Sequence, residues 1–177
     1  MKEEYKGYSI EISQDEYADD PTENYEEDII LCILSKRYRN PAEKKGDRHP
    51  VDYWQRWPKR NPKYACYPLW VYDHSGVHYL PTLSDADNPF SGKLPAGHAE
   101  FDTARAGFIA VKKSRVRGQV KRFQTARDAV AEYTAYSNGG VYRYTIRDSV
   151  GDVVYSCGDY YGLDQARQDA HRFIDNL

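Results

Sequence analysis

The sequence is short of the residues that mark the common special classes of protein. Cysteine occurs only at Cys32, Cys66 and Cys157, an odd and widely spaced set without a Cys-x-x-Cys pair, which excludes a disulfide framework as the organising principle. Cys32 lies in an apolar run and Cys157 ends an expected strand, so both read as small buried hydrophobes of a reducing compartment. No apolar run approaches the ~20 residues of a membrane span. The first residues are acidic and polar rather than basic and then apolar, so no signal peptide and a cytoplasmic location are expected. A phosphate-binding glycine loop, a Gly-x-Ser-x-Gly elbow and a His-Glu-x-x-His pair are all lacking, and no enzyme activity and no cofactor are expected.

What the chain does have is charge, and it is segregated. The net charge of -2 over 177 residues hides a first stretch, 1–35, in which eleven acids face only Lys2 and Lys6. Residues 36–63 reverse the sign, with ten Lys or Arg against Glu43, Asp47 and Asp52. A second basic run follows at Lys112, Lys113, Arg115, Arg117, Lys121 and Arg122. Such blocks set partners and association rates rather than fold. The 17 tyrosines supply apolar area with a polar tip, which suits cross-strand packing and interfaces.

The length fits one domain. Tyr8, Ile10 and Ile12 alternate with polar residues as in a strand with one buried face, and the apolar stretch 29–34 reads as its partner in a long-looped hairpin. Residues 39–50 read as a loop and 51–57 as one or two helical turns ended by Pro58, with Tyr53, Trp54 and Trp57 as core anchors. Segments 69–73 and 77–80 flank a tight turn at His74-Ser75-Gly76. From 81 to 103 the composition is that of a loop, long enough to be functional or mobile. A strand at 107–111 follows. Thr125 and Asp128 fit a capping box for a helix with Ala126, Ala129, Val130, Tyr133 and Tyr136 on one face, stopped by Asn138-Gly139. Segments 141–147 and 153–157 form a second hairpin. Leu163, Ala166, Ala170, Phe173, Ile174 and Leu177 mark a last amphipathic helix, with Asp164 suited to its first turn and Arg172 to its last. The expected fold class is a single α+β domain of antiparallel β-hairpins with amphipathic helices packed on the sheet.

Four sets of residues could carry function. The acidic segment Asp15, Glu16, Asp19, Asp20, Glu23, Glu26 and Glu27 could imitate a phosphate backbone and occupy a cationic channel of a nucleic-acid-handling protein, or be a solvated loop; it lacks the calcium-loop pattern. The basic run 112–122 could contact phosphates, although a sequence pI near 6.2 opposes a large unbroken positive field. Cys66, His74 and His78, with His98 more distant, form the best candidate metal cluster, but their spacing does not enforce tetrahedral geometry and no metal is expected. Asp73, His74 and Ser75 carry triad residue types, yet neighbours in a tight turn seldom converge on one point, and Asp and Ser favour turns for local reasons.

Several segments together resemble a known group of sequences: Tyr5 to Gln14, Ile29 to Tyr38, the turn Tyr72-Asp-His-Ser-Gly, the strand Gly107-Phe-Ile, Gly140 to Tyr144, and Ser156-Cys-Gly-Asp-Tyr-Tyr-Gly. They are similar to a family of small uncharacterised proteins carried by bacteriophages and plasmids. At 25–29 the chain has Tyr-Glu-Glu-Asp-Ile where that family tends to carry Trp-Asp-Asn-Leu-Gly. The resemblance implies a mobile-element origin and no catalytic residues. The expected function is a non-enzymatic inhibitor that binds a host defence protein, such as a CRISPR effector or a restriction enzyme, through the acidic segment. The alternative is a nucleic-acid-binding accessory protein using 112–122.

Overall fold

The computed structural model describes residues 1–34, 53–95 and 98–177, with the side chains at 53–55 and 99–100 left aside. The chain is α+β. In chain order it forms β1 (Lys2–Tyr5), β2 (Tyr8–Gln14), a 3-10 turn (Pro21–Tyr25), β3 (Ile29–Ile33), α1 (Tyr53–Arg60), β4 (Tyr64–Asp73), β5 (Val77–Pro81), α2 (His98–Phe101), β6 (Thr103–Lys112), α3 (Gln119–Ser137), β7 (Tyr142–Arg147), β8 (Val153–Tyr160) and α4 (Leu163–Asp175). The strands make two antiparallel four-stranded sheets, and helices pack on them as expected. Two compact units divide the chain: Met1–Asp20 with Ala135–Leu177, and Pro21–Thr134.

The first unit holds the sheet β1-β2-β7-β8. A two-residue turn with Lys6 and Gly7 both at positive φ joins β1 to β2, a conformation glycine adopts without the Cβ clash. Ile10 and Ile12 of β2 lie opposite Ile146 and Tyr144 of β7, and all four are buried beneath Ala166, Ala170 and Ile174 of α4. The alanines leave room for the tyrosine rings. Tyr144 is fully buried, and its hydroxyl donates to Asp169 of α4, which also accepts from Tyr160 at 2.5 Å. Burial first, and then the Asp169 carboxylate, push the Tyr144 hydroxyl up to about 12. The hairpin β7–β8 and α4 match the sequence reading, except that Leu163 and Leu177 are exposed rather than core-facing.

The second unit holds the sheet β3-β6-β4-β5. Its central strand β6 is buried from Ala106 to Val111 without alternation, because both faces are covered. Ile109 and Val111 face Ala126, Ala129, Val130 and Tyr133 of α3. Phe108 and Ala110 face the other way, towards Cys32, Tyr64 and Trp57 of α1. Trp57 therefore anchors the core as expected, while the side chains of Tyr53 and Trp54 and the expected loop 39–50 lie outside the described residues, as do residues 51–52.

Three expectations are corrected. The stretch 29–34 does not pair with β2: β3 pairs with β6, and β2 takes β1 and β7 as neighbours. An apolar strand gains more from a partner buried on both faces than from β2, whose alternate residues are polar. Pro58 lies inside α1 rather than ending it, since proline removes one backbone donor from a helix that Asn61 still closes by donating to the Trp57 carbonyl. Thr125 is not a cap. The helix α3 starts six residues earlier, after Gly118, and the Thr125 hydroxyl donates back to the Lys121 carbonyl one turn before it.

A Cβ on Gly107 would lie 1.9 Å from the Cys32 carbonyl oxygen, so Gly107→Ala forces β3 away from β6 and lowers stability by about 2–4 kcal/mol in urea unfolding. In the first unit, Glu3 accepts from Arg167 at 2.7 Å and pairs with His171 at 2.6 Å. The Arg167 hydrogen bond lowers the Glu3 carboxyl from its ordinary 4.5, against the opposing effect of burial and with His171 in support. A carboxyl lowered on folding stabilises fully above its unfolded value and loses that contribution as pH falls through the folded value. Thermal unfolding of Glu3→Gln between about pH 7 and pH 3 is therefore expected to start from a lower midpoint and to fall less on acidification from about pH 4.5 than the native chain.

Candidate functional site

Residues 82–95, which follow β5, form neither an extended spacer nor a regular element. They lie over the sheet face opposite α3 and are tied down at intervals. Phe90 is buried against Tyr72 with ring centroids 5.7 Å apart, Asn88 donates to Thr103 at 2.9 Å, and Asp85 pairs with Arg105 at 2.5 Å. Arg105 also stands over the Trp70 ring. The single turn α2 stands before β6, and the Asp102 amide donates to the His98 carbonyl at 2.9 Å, which closes that turn. His98 and Asp102, four residues apart, then share one face.

That face meets the β4–β5 turn. Ser75 and Gly76 have φ of 55° and 144°, which lets the chain reverse in three residues between β4 and β5. The Asp73 amide donates to the Asp102 carbonyl at 2.9 Å, fixing the turn to the end of α2. As a result, one oxygen of Asp102 lies 2.9 Å from Nδ1 of His98 and 3.4 Å from Nδ1 of His74. The two imidazoles meet edge to face at 4.7 Å, and the Tyr72 ring stacks at 6.0 Å on His74. His74 is about half exposed, and His98 and Asp102 are each about one-third exposed.

Of the candidate cluster Cys66, His74, His78 and His98, at which no metal was expected, the structure brings together only His74 and His98. His78 instead stacks on Tyr72, and Cys66 packs beside Cys32, Tyr64, Phe108 and Ala110. Burial pushes the Cys66 thiol up to about 11, away from the thiolate a metal ligand or nucleophile requires. The missing member, Asp102, was legible only as the residue four after His98 in a segment read as loop. The triad types do not assemble either: the Ser75 hydroxyl donates to the His74 backbone carbonyl.

The charged segments are placed differently. In the first unit Glu16 and Asp19 are exposed, while Asp15 is partly withdrawn, accepting from the amides of Tyr17 and Asp159. Asp20, also of that unit, is partly buried. In the second unit Glu23, Glu26 and Glu27 are exposed around the 3-10 turn, and Glu27 lies 3.8 Å from Lys112. The basic run is substantially engaged within its own unit. Asp28 pairs with Lys112 at 3.3 Å and with Arg115 at 2.6 Å, Lys113 donates to the Pro62 carbonyl, and Arg122 donates to the Val116 carbonyl. Arg117 and Lys121 are exposed.

No protein-family model, no curated protein and no solved structure matches the chain. Among the described residues no helix is long and apolar enough to cross a membrane.

The burial of Cys66 has a direct chemical readout. At about pH 8 its thiolate fraction makes alkylation by iodoacetamide roughly 100-fold slower than that of a free cysteine, as followed by peptide mass spectrometry.

Proposed function

We propose that this chain is a non-enzymatic protein-binding inhibitor of a host nucleic-acid-targeting defence system, anti-CRISPR or anti-restriction in type, acting in the host cytoplasm. The reading is carried by one observation. Glu16 and Asp19 in the first unit, and Glu23 and Glu26 in the second, are exposed carboxylates with no ion pair among the described residues. Carboxylates held in water on loops keep their charge available for a partner's Arg and Lys, and they steer encounter with a cationic surface before any contact is made. Direct nucleic-acid binding by 112–122 is the competing reading. Two of its six cations, Lys112 and Arg115, are ion-paired with Asp28, which reduces the field left to meet a phosphate backbone, and Lys113 and Arg122 spend donors on the Pro62 and Val116 carbonyls.

Phage plating on a strain with an active nucleic-acid-targeting defence separates the two. Expression of the chain is expected to raise plating at least tenfold. Joint replacement of Glu16, Asp19, Glu23 and Glu26 by Lys should abolish the effect, and Arg117→Ala with Lys121→Ala should preserve it. Protection that survives the charge reversal and is lost with Arg117 and Lys121 would transfer the function to the basic run, and no protection against any tested restriction or CRISPR system would reject inhibition.

A further inference from the structure

We infer that His74, His98 and Asp102 form a binding site for a divalent first-row transition metal ion, with Zn2+ as the fitting probe. One ring nitrogen from each histidine and one carboxylate oxygen lie within 4.8 Å of one another, and no other such group occurs among the described residues. Metal bonds of about 2.0–2.2 Å to nitrogen and oxygen place tetrahedral ligand atoms about 3.4 Å apart. The His74 to Asp102 separation already has that value, at 3.4 Å, and His98 to Asp102 is shorter at 2.9 Å, the length of a hydrogen bond. A cation among the three opens the short pair slightly and draws the widest pair in by up to about 1.4 Å.

Donor chemistry selects the class of ion. Two imidazoles and one carboxylate suit zinc, iron, nickel or copper, whereas calcium and magnesium favour sets made of oxygen. The partial exposure of all three residues leaves the remaining coordination positions to water or to another ligand. The ligands are pre-placed by backbone contacts independent of the side chains, namely the closed turn of α2 and the Asp73 amide on the Asp102 carbonyl. Bound metal would clasp α2 and Asp102, just before β6, to the β4–β5 turn. The site is independent of the acidic residues in the proposed inhibitor function.

The test uses the full chain, stripped with chelator and titrated with Zn2+ by calorimetry, together with nuclear magnetic resonance of the histidine rings. One equivalent is expected to bind, to perturb the His74 and His98 rings while sparing His78 and His171, and to raise the thermal midpoint by about 5 °C at a hundredfold excess over Kd. His98→Ala and Asp102→Asn should each weaken binding at least tenfold, and His78→Ala should leave it unchanged. Absence of saturable binding to the native chain overturns the proposal. So does binding whose ring shifts fall on His171 or His78 instead, a readout that needs no variant to fold.

Discussion

Strand β6 has no free face from Ala106 to Val111, and the second unit is organised by that fact. A strand that is apolar at every position from Ala106 to Val111 is stable only between two layers. The amphipathic helix α3 supplies one layer through small residues and Tyr133. The other layer is assembled from pieces, with Trp57 of α1 over Phe108, and Phe90 of the segment 82–95 against Tyr72 of the neighbouring strand β4. The position of His98 and Asp102 is a by-product of that covering. A chain that must return from β5 to the start of β6 across the sheet passes the β4–β5 turn on its way, and there it meets His74.

The first unit is held by a different device. Its core rings are tyrosines, which bring a hydroxyl into an apolar layer, and a buried hydroxyl without a partner is costly. Asp169 on α4 accepts from both Tyr144 and Tyr160, so one carboxylate satisfies two rings and fixes the rotation of the helix over the sheet. The abundance of tyrosine thus has a structural use here that hydrophobic pattern does not reveal.

Local elements were legible in the sequence and distant pairings were not. The hairpins β4–β5 and β7–β8 have turn residues between alternating runs, and the apolar face of α4 repeats at helical spacing, so the information sits within a few residues. The partners of β2 and β3 depend on which strands are buried on one face or two, and no window around residues 8–34 contains that. Thr125 shows the same limit at shorter range: its side chain fits a cap or a mid-helix back-bond equally, and Gly118 seven residues earlier decides. The candidate site was half visible. His74 and His98 stood out as residue types, but Asp102 gains meaning only from the turn of helix before it, and Cys66 was excluded by burial rather than by spacing.

The first unit is assembled from two stretches separated by the whole of the second. On the ribosome this imposes an order of events. The hairpin of β1 and β2 emerges early, yet its sheet neighbour β7 begins only at Tyr142, after the intervening unit has been made. At synthesis rates of about 5–20 residues per second that interval lasts roughly 6–24 s. An isolated two-stranded hairpin is marginal in water, so Ile10 and Ile12 spend that time without their lasting neighbours. The exposed lysine and glutamates of those first strands keep such a waiting intermediate in solution.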